Sequence, residues 1–291
     1  MKKYISYIYV VLGAACWGFI GVFNRILATT GITMGNRVLI RNFGSLLLMT
    51  VVFAFIHPQV FHIQKKHLPL FLGSGLLSVV GLGWTYFSCQ LMCSLAVAGI
   101  LLYLAPSFVV IGSAILWKAP LTRRKIAALA LALCGCALVS GIVGGDVKAS
   151  VPGILLGIGA GLCYASYTIF SHYGLAHYDS LTMIYWTFLV AGLASLVFLD
   201  APAMADTLRQ PNGIIGAVGL VVIATVLPYI FYTKGLEGVE SGVASVIANV
   251  EPVVAALTGV IFFNETLNIW TVLGIILVLT AAVLLAKGDN P

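Results

Sequence analysis

Polar and charged positions are sparse along the chain, and they cluster between apolar runs of about twenty residues. The runs fall near 7–27, 34–56, 68–91, 96–117, 124–143, 153–173, 181–199, 213–234, 242–263 and 269–286. A helix needs about that length to cross a bilayer core of roughly 30 Å. Spanning strands would be half as long and would alternate in polarity, which these runs do not. The connections are short, so backbone polar groups are satisfied inside helices and no soluble domain is expected. The pattern predicts an all-α integral membrane protein of ten transmembrane helices.

The layout repeats. A shift of 146 positions sets Pro252 on Pro106, Ile261 on Ile115, Leu267 on Leu121, Val243 on Val97 and Ala244 on Ala98. Near the start of each half, Cys163-Tyr164-Ala165 parallels Cys16-Trp17-Gly18 at an offset of 147. The identities are few, and the matching order of apolar runs carries more weight. Five spans per half make the second half enter the bilayer from the opposite side. The expected architecture is therefore two inverted five-helix repeats, 1–146 and 147–291, around a central cavity. Inverted repeats with bent helices meeting at the midplane are a secondary-transporter design. The pair Pro106 and Pro252 marks the place, because proline frees a backbone carbonyl and bends a helix.

Composition narrows the classes. Of 291 residues, 61% are hydrophobic and only 8% charged, against roughly a quarter charged in soluble domains. The net charge of +6 concerns sidedness, not nucleic acid. Lys2, Lys3, Lys65, Lys66, Lys118, Arg123, Arg124, Lys125, Lys234 and Lys287 fall on one side of a ten-span topology, whereas the loops of the other side hold Lys148 and Arg209. The basic side should be cytoplasmic, with both termini inside a bacterial plasma membrane. The basic, His-containing segment 57–67 reads as a solvated inner loop, and no metal site or cofactor is expected. The first run is too long for a cleaved signal peptide and lacks a convincing cleavage site. The six cysteines lie in or beside helices and read as small packing residues.

Several positions carry candidate chemistry. Glu251 sits near the middle of an apolar run and has no acidic counterpart in the first half, where Ala105 corresponds to it and Tyr103 to Asn249. An isolated carboxylate in hydrocarbon costs at least a few kcal/mol, so it is protonated, paired or facing water. It can load and release a proton on alternating exposure, serve as counter-ion to a substrate amine, or act as a structural acid bonded to a tyrosine or to the carbonyl freed by Pro252. Arg37 and Arg41 lie one above the other at the start of the second run; the deeper Arg41 must face protein or water. Gly153, Gly157 and Gly161 form a close-packing stripe. Tyr185-Trp186 read as interfacial anchors, and Lys234, Glu237 and Glu240 as a solvated inner loop. Trp17, Trp84, Tyr86, Tyr103, Tyr164, Tyr229 and Tyr232 would suit a cavity for a cationic or partly apolar substrate. From these and the polar positions the expected substrate site is Trp17, Tyr86, Tyr103, Asn249 and Glu251, with Glu251 also the coupling residue.

These residues resemble a known family. Trp17-Gly18, Arg41 and Leu104-Ala105-Pro106 in the first half, with Asn249-Val-Glu251-Pro252-Val-Val-Ala-Ala-Leu and Asn264-Glu265-Thr-Leu267 in the second, are similar to the EamA-type transporters of the drug/metabolite transporter superfamily. The resemblance covers nearly the whole chain. Lys118-Ala119-Pro120-Leu121 stands where that family often has Gly-Glu-x-Leu, and Asn264 replaces the corresponding glycine. Both departures fall at helix ends and bear on capping, not on the fold. The resemblance implies a carrier of small organic metabolites, often amino acids or related amines and often an exporter. It implies alternating access through a cavity bounded by helices 1–4 and 6–9, with 5 and 10 peripheral. Substrate identity and oligomeric state do not follow from it.

Three rivals belong to other classes. A primary pump would need a Gly-x-x-x-x-Gly-Lys-[Ser/Thr] loop, which is absent here. A membrane enzyme would need a polar cluster, whereas Glu251 is the single midplane acid. An uncoupled facilitator or exchanger, or a channel, remains as the alternative, and saturable counterflow separates a carrier from a channel.

Overall fold

The computed structural model describes residues 2–143 and 148–286. Residues 144–147 of the central connector, the expected boundary at 146/147 and Lys287 lie outside the described residues, as do the side chains of Lys2 and Lys3. Among the described residues the protein is helical, and nine helices are long and apolar enough to cross a membrane. They are α1 (Tyr4–Ala28), α2 (Met34–Ile56), α3 (Lys65–Met92), α4 (Leu95–Trp117), α6 (Val151–Gly174), α7 (Ser180–Phe198), α8 (Pro211–Leu236), α9 (Ser241–Phe263) and α10 (Ile269–Ala286). Between α4 and α6 lies α5 (Arg123–Val139), 17 residues long and opening on three basic residues. At 1.5 Å per residue it is about 25 Å long.

The helices are locally irregular, and the irregularities recur. α4 is interrupted at Tyr103-Leu104 and restarts at Ala105 with Pro106 in its first turn. α9 tightens to a 3-10 turn over Ala248–Val250 and restarts at Glu251 with Pro252 in its first turn. Both helices end on a left-handed residue, Lys118 at φ 56° and Asn264 at φ 54°. Here the two departures from the expected glycine acquire a meaning, because this conformation favours glycine. α3 carries a π-helical stretch over Gly73–Gly81 and α8 one over Val222–Val226. Another in α2, Ile40–Gly44, contains Arg41. Such bulges redirect side chains and are frequent at functional sites.

Packing follows matched pairs: α1 lies on α8, α3 on α6, α2 on α7, and α5 on α10. Small residues permit the closest approaches. A Cβ built on Gly135 would lie 2.7 Å from the Gly274 carbonyl oxygen, fixing α5 to α10. The Gly153–Gly157–Gly161 stripe faces Met92, Cys93 and Leu101, as a close-packing surface should. The end of α2 and the start of α7 are joined by His57 and Asp179 at 2.6 Å. Tyr7 and Leu285 line one cavity together with Lys125 and Glu240, so the described ends of the chain lie on the same face as the basic α4–α5 connection. At the opposite face Asn36 Nδ2 donates to the Asp200 carbonyl at 2.8 Å, and Arg25 pairs with Glu265 at 2.6 Å.

Two expectations are corrected. Tyr185-Trp186 are not free interfacial anchors: Tyr185 is buried, and the Trp186 indole N–H donates to the Val60 carbonyl at 2.8 Å, beneath the 3-10 turn Pro58–Phe61. Glu240 is not merely solvated, since it is paired with the buried Lys125.

Candidate functional site

The site is assembled around the break in α9. Pro252 in the first turn after the break leaves Glu251 at a helix start, where its carboxyl group projects from the end of an interrupted helix and not from a continuous wall. Glu251 is half-buried. Tyr164 Oη, from α6, donates to Glu251 Oε2 at 3.0 Å. Tyr86, Tyr103, Tyr229 and Cys136 lie in the neighbourhood of the Glu251 carboxyl group. Arg41, carried by the π-helical turn of α2, lies beside Tyr229 and within electrostatic reach of Glu251.

Trp17 anchors an aromatic cluster next to this acid. It is buried, and its ring meets Tyr164 edge-on at 6.0 Å, Tyr229 at 5.4 Å and Tyr232 at 5.2 Å. Hydroxyls fix the cluster behind it: Tyr167 Oη lies 2.6 Å from Thr233 Oγ1, and Thr168 Oγ1 lies 2.8 Å from Tyr232 Oη. Gly18 follows Trp17 and lets α1 touch α9 just beyond Glu251; a Cβ there would stand 2.6 Å from Val254 Cβ.

Burial changes along α9 at the break. α9 is buried at every position of 241–250 and mixed in exposure from Glu251 onward. Its first half, Ser241–Ile247, packs against the second half of α4, Ala105–Trp117. The other halves, Leu95–Leu102 and Glu251–Phe263, have no comparable packing on one another. A small cavity of about 10 Å³ lies at the seal, lined by Pro106, Tyr164, Thr168, Tyr232, Ser245 and Asn249. That is room for about one water. The Asn249 side-chain N–H group is buried there without a protein partner.

The five expected site residues therefore fall as follows. Glu251, Tyr86 and Tyr103 come together in one electrostatic neighbourhood. Trp17 joins it through Tyr164, and Asn249 lies beneath it on the sealed side. Trp84, one of the wider aromatic set, is 61% exposed on the outside of the bundle, facing away from the cavity. Tyr164 and Arg41 are the additions. The Cys-Tyr-Ala correspondence with Cys-Trp-Gly was the signal for Tyr164. The depth of Arg41 in its apolar run was the signal for the arginine.

Helices of bilayer length packed around a half-buried acid at a helix break define an integral membrane protein with a polar site in its interior, the arrangement a transporter needs. A family model described as the EamA-like transporter family matches residues 4–141 and 151–287. The chain belongs to that family. It is 27% identical over 297 residues to the uncharacterized transporter YwfM of Bacillus subtilis (strain 168), covering 100% of this chain and 96% of that protein. It is 27% identical over 267 residues to an uncharacterized transporter of Archaeoglobus fulgidus, covering 89% and 94%. The uncharacterized inner membrane transporter YicL of Salmonella typhimurium is 26% identical over 291 residues, covering 95% and 93%. One solved crystal structure superposes with a TM-score of 0.78 at 17% identity, covering 96% of this chain and 95% of that one; at this identity it speaks to the fold alone. The family and these relatives are described as transporters.

Proposed function

We propose that this protein is a secondary active transporter of small organic metabolites, amino acids or related amines. It works by alternating access as a proton-coupled exporter of a bacterial plasma membrane, with both termini cytoplasmic. Ten membrane helices form two inverted repeats, 1–146 and 147–291. The recurring breaks in α4 and α9, the matched helix pairs and the two stretches matched by the family model support that division. The observation that carries the function is Glu251, half-buried at the break of α9, held by Tyr164 and placed just beyond the fully buried stretch 241–250. In this place one carboxyl group can meet a substrate amine or a proton from either face as the seal changes sides. Trp17, Tyr86 and Tyr103 present aromatic surface to the same substrate, and Asn249 offers it an amide from below.

The test is counterflow in liposomes. Candidate amino acids and amines are loaded, a pH gradient or a potential is imposed, and uptake is followed. Saturable, gradient-driven counterflow is expected from the wild-type protein. Glu251→Gln should abolish the coupled component while leaving expression intact. Full coupled transport by this variant would remove the reading.

A further inference from the structure

Glu240 immediately precedes the buried half of α9 that forms the seal. Its carboxylate receives Lys125 Nζ at 2.5 and 2.7 Å, and the third ammonium proton goes to the Pro120 carbonyl at 2.8 Å. Lys125 is 8% exposed. It sits in the first turn of α5, where Thr122 Oγ1 caps its backbone N–H at 3.2 Å. α5 is packed closely on α10 through Gly135 and Gly274, so Lys125 is carried by a helix with its own partner. Beside the pair lies a cavity of about 220 Å³ lined by Tyr7, Thr122, Arg124, Val239, Val243 and Leu285. Water in that space can solvate a carboxylate that leaves the lysine.

We infer that Lys125–Glu240 is the latch of the basic-side seal: it holds the start of α9 against α5 and must open before residues 241–250 can part from α4. This rests on the alternating-access reading. Opening that face moves Glu240, because Ser241 is its chain neighbour and Ala244 N–H is bonded to its carbonyl at 2.8 Å. Arg124, which also lines the cavity, donates to the Leu284 carbonyl. Lys125 and Glu240 are positioning residues, remote from the Glu251 neighbourhood.

The test follows access to Ser245, which is 6% exposed behind the seal. Ser245→Cys is placed in a full-length chain whose six native cysteines are replaced. A membrane-impermeant maleimide is then added from the basic face. Lys125→Met and Glu240→Gln should each raise the labelling rate roughly three- to tenfold, the range for a charged hydrogen-bonded pair at a partly solvated site. The double variant should label no faster than the faster single, because both remove one interaction. Lys125→Arg should keep the parent rate. Should Lys125→Met fail to fold, Glu240→Gln carries the test, since its side chain stands at the solvated mouth. Labelling of folded single variants at the parent rate overturns the latch alone. If Ser245→Cys is never labelled from that face in any variant, alternating access fails and the latch with it.

Discussion

Gly18 and Gly21 lie three residues apart on α1, and the structure gives them opposite fates on substitution by alanine. A Cβ on Gly18 would stand 2.6 Å from Val254 Cβ, 2.7 Å from Val254 Cγ1 and 3.0 Å from the Ala255 backbone nitrogen. None of these is the far end of a flexible side chain, so a helix must move. Overpacking of this kind costs about 1–3 kcal/mol. At most about 1 kcal/mol returns from the restricted unfolded chain. With the full return the net loss for Gly18→Ala is about 0–2 kcal/mol, up to a factor of roughly 30 in the folded population. The displaced segment carries Trp17 on one side and Glu251 on the other, so counterflow per folded molecule should fall as well. Nothing lies within 4 Å of a Cβ at Gly21; within helix Ile20–Ala28 the same change gains up to about 1 kcal/mol from helix propensity. Thermal unfolding in detergent and counterflow at saturating substrate check both variants. Should Gly18→Ala melt at or above wild type while Gly21→Ala melts below it, the α1–α9 contact is misplaced and the site geometry with it.

Other outcomes follow from particular contacts. Tyr164→Phe keeps the ring edge on Trp17 but removes the donor to Glu251; counterflow should fall about tenfold, the value of a charge-assisted hydrogen bond, with little change in melting temperature. Lys118→Gly should stabilise by about 0.5–1 kcal/mol, the left-handed penalty less the entropy of glycine, and Asn264→Gly by less, because asparagine tolerates that conformation; chemical or thermal unfolding reads both. Asp179 caps α7 through the Thr182 N–H at 2.8 Å. Burial works to raise its carboxyl group's pKa, but hydrogen bonds from Thr182 and the contact with His57 outweigh it, and the group is held below the ordinary carboxylate range. A depressed acid adds stability above its unfolded value near 4 and loses it as pH falls through the folded value. Asp179→Ala should therefore cost about 1 kcal/mol at pH 7, and the gap to wild type should close below about pH 4.

Much of this protein is written locally. Apolar runs of bilayer length become helices because lipid leaves a backbone no other way to satisfy its polar groups; nine of the ten expected runs are long and apolar enough to cross a membrane among the described residues. Prolines 106 and 252 break their helices wherever those helices pack, because the missing N–H is a property of the residue itself. A single acid in an apolar run is conspicuous for the same reason. What the chain could not settle is which face of each helix looks inward. In water a helix advertises its buried face by contrast with a polar one, but lipid is as apolar as a protein core, and the contrast is lost. Trp84 and Tyr86 are two residues apart in one helix, and only the packing of α3 on α6 turns the first outward and the second toward Glu251. The same holds for Arg41, which a π-helical turn aims at Tyr229, and for Lys125, which meets Glu240 from 115 residues away. Those pairings depend on how helices are set against one another in space, and that arrangement exists only once the whole bundle has closed.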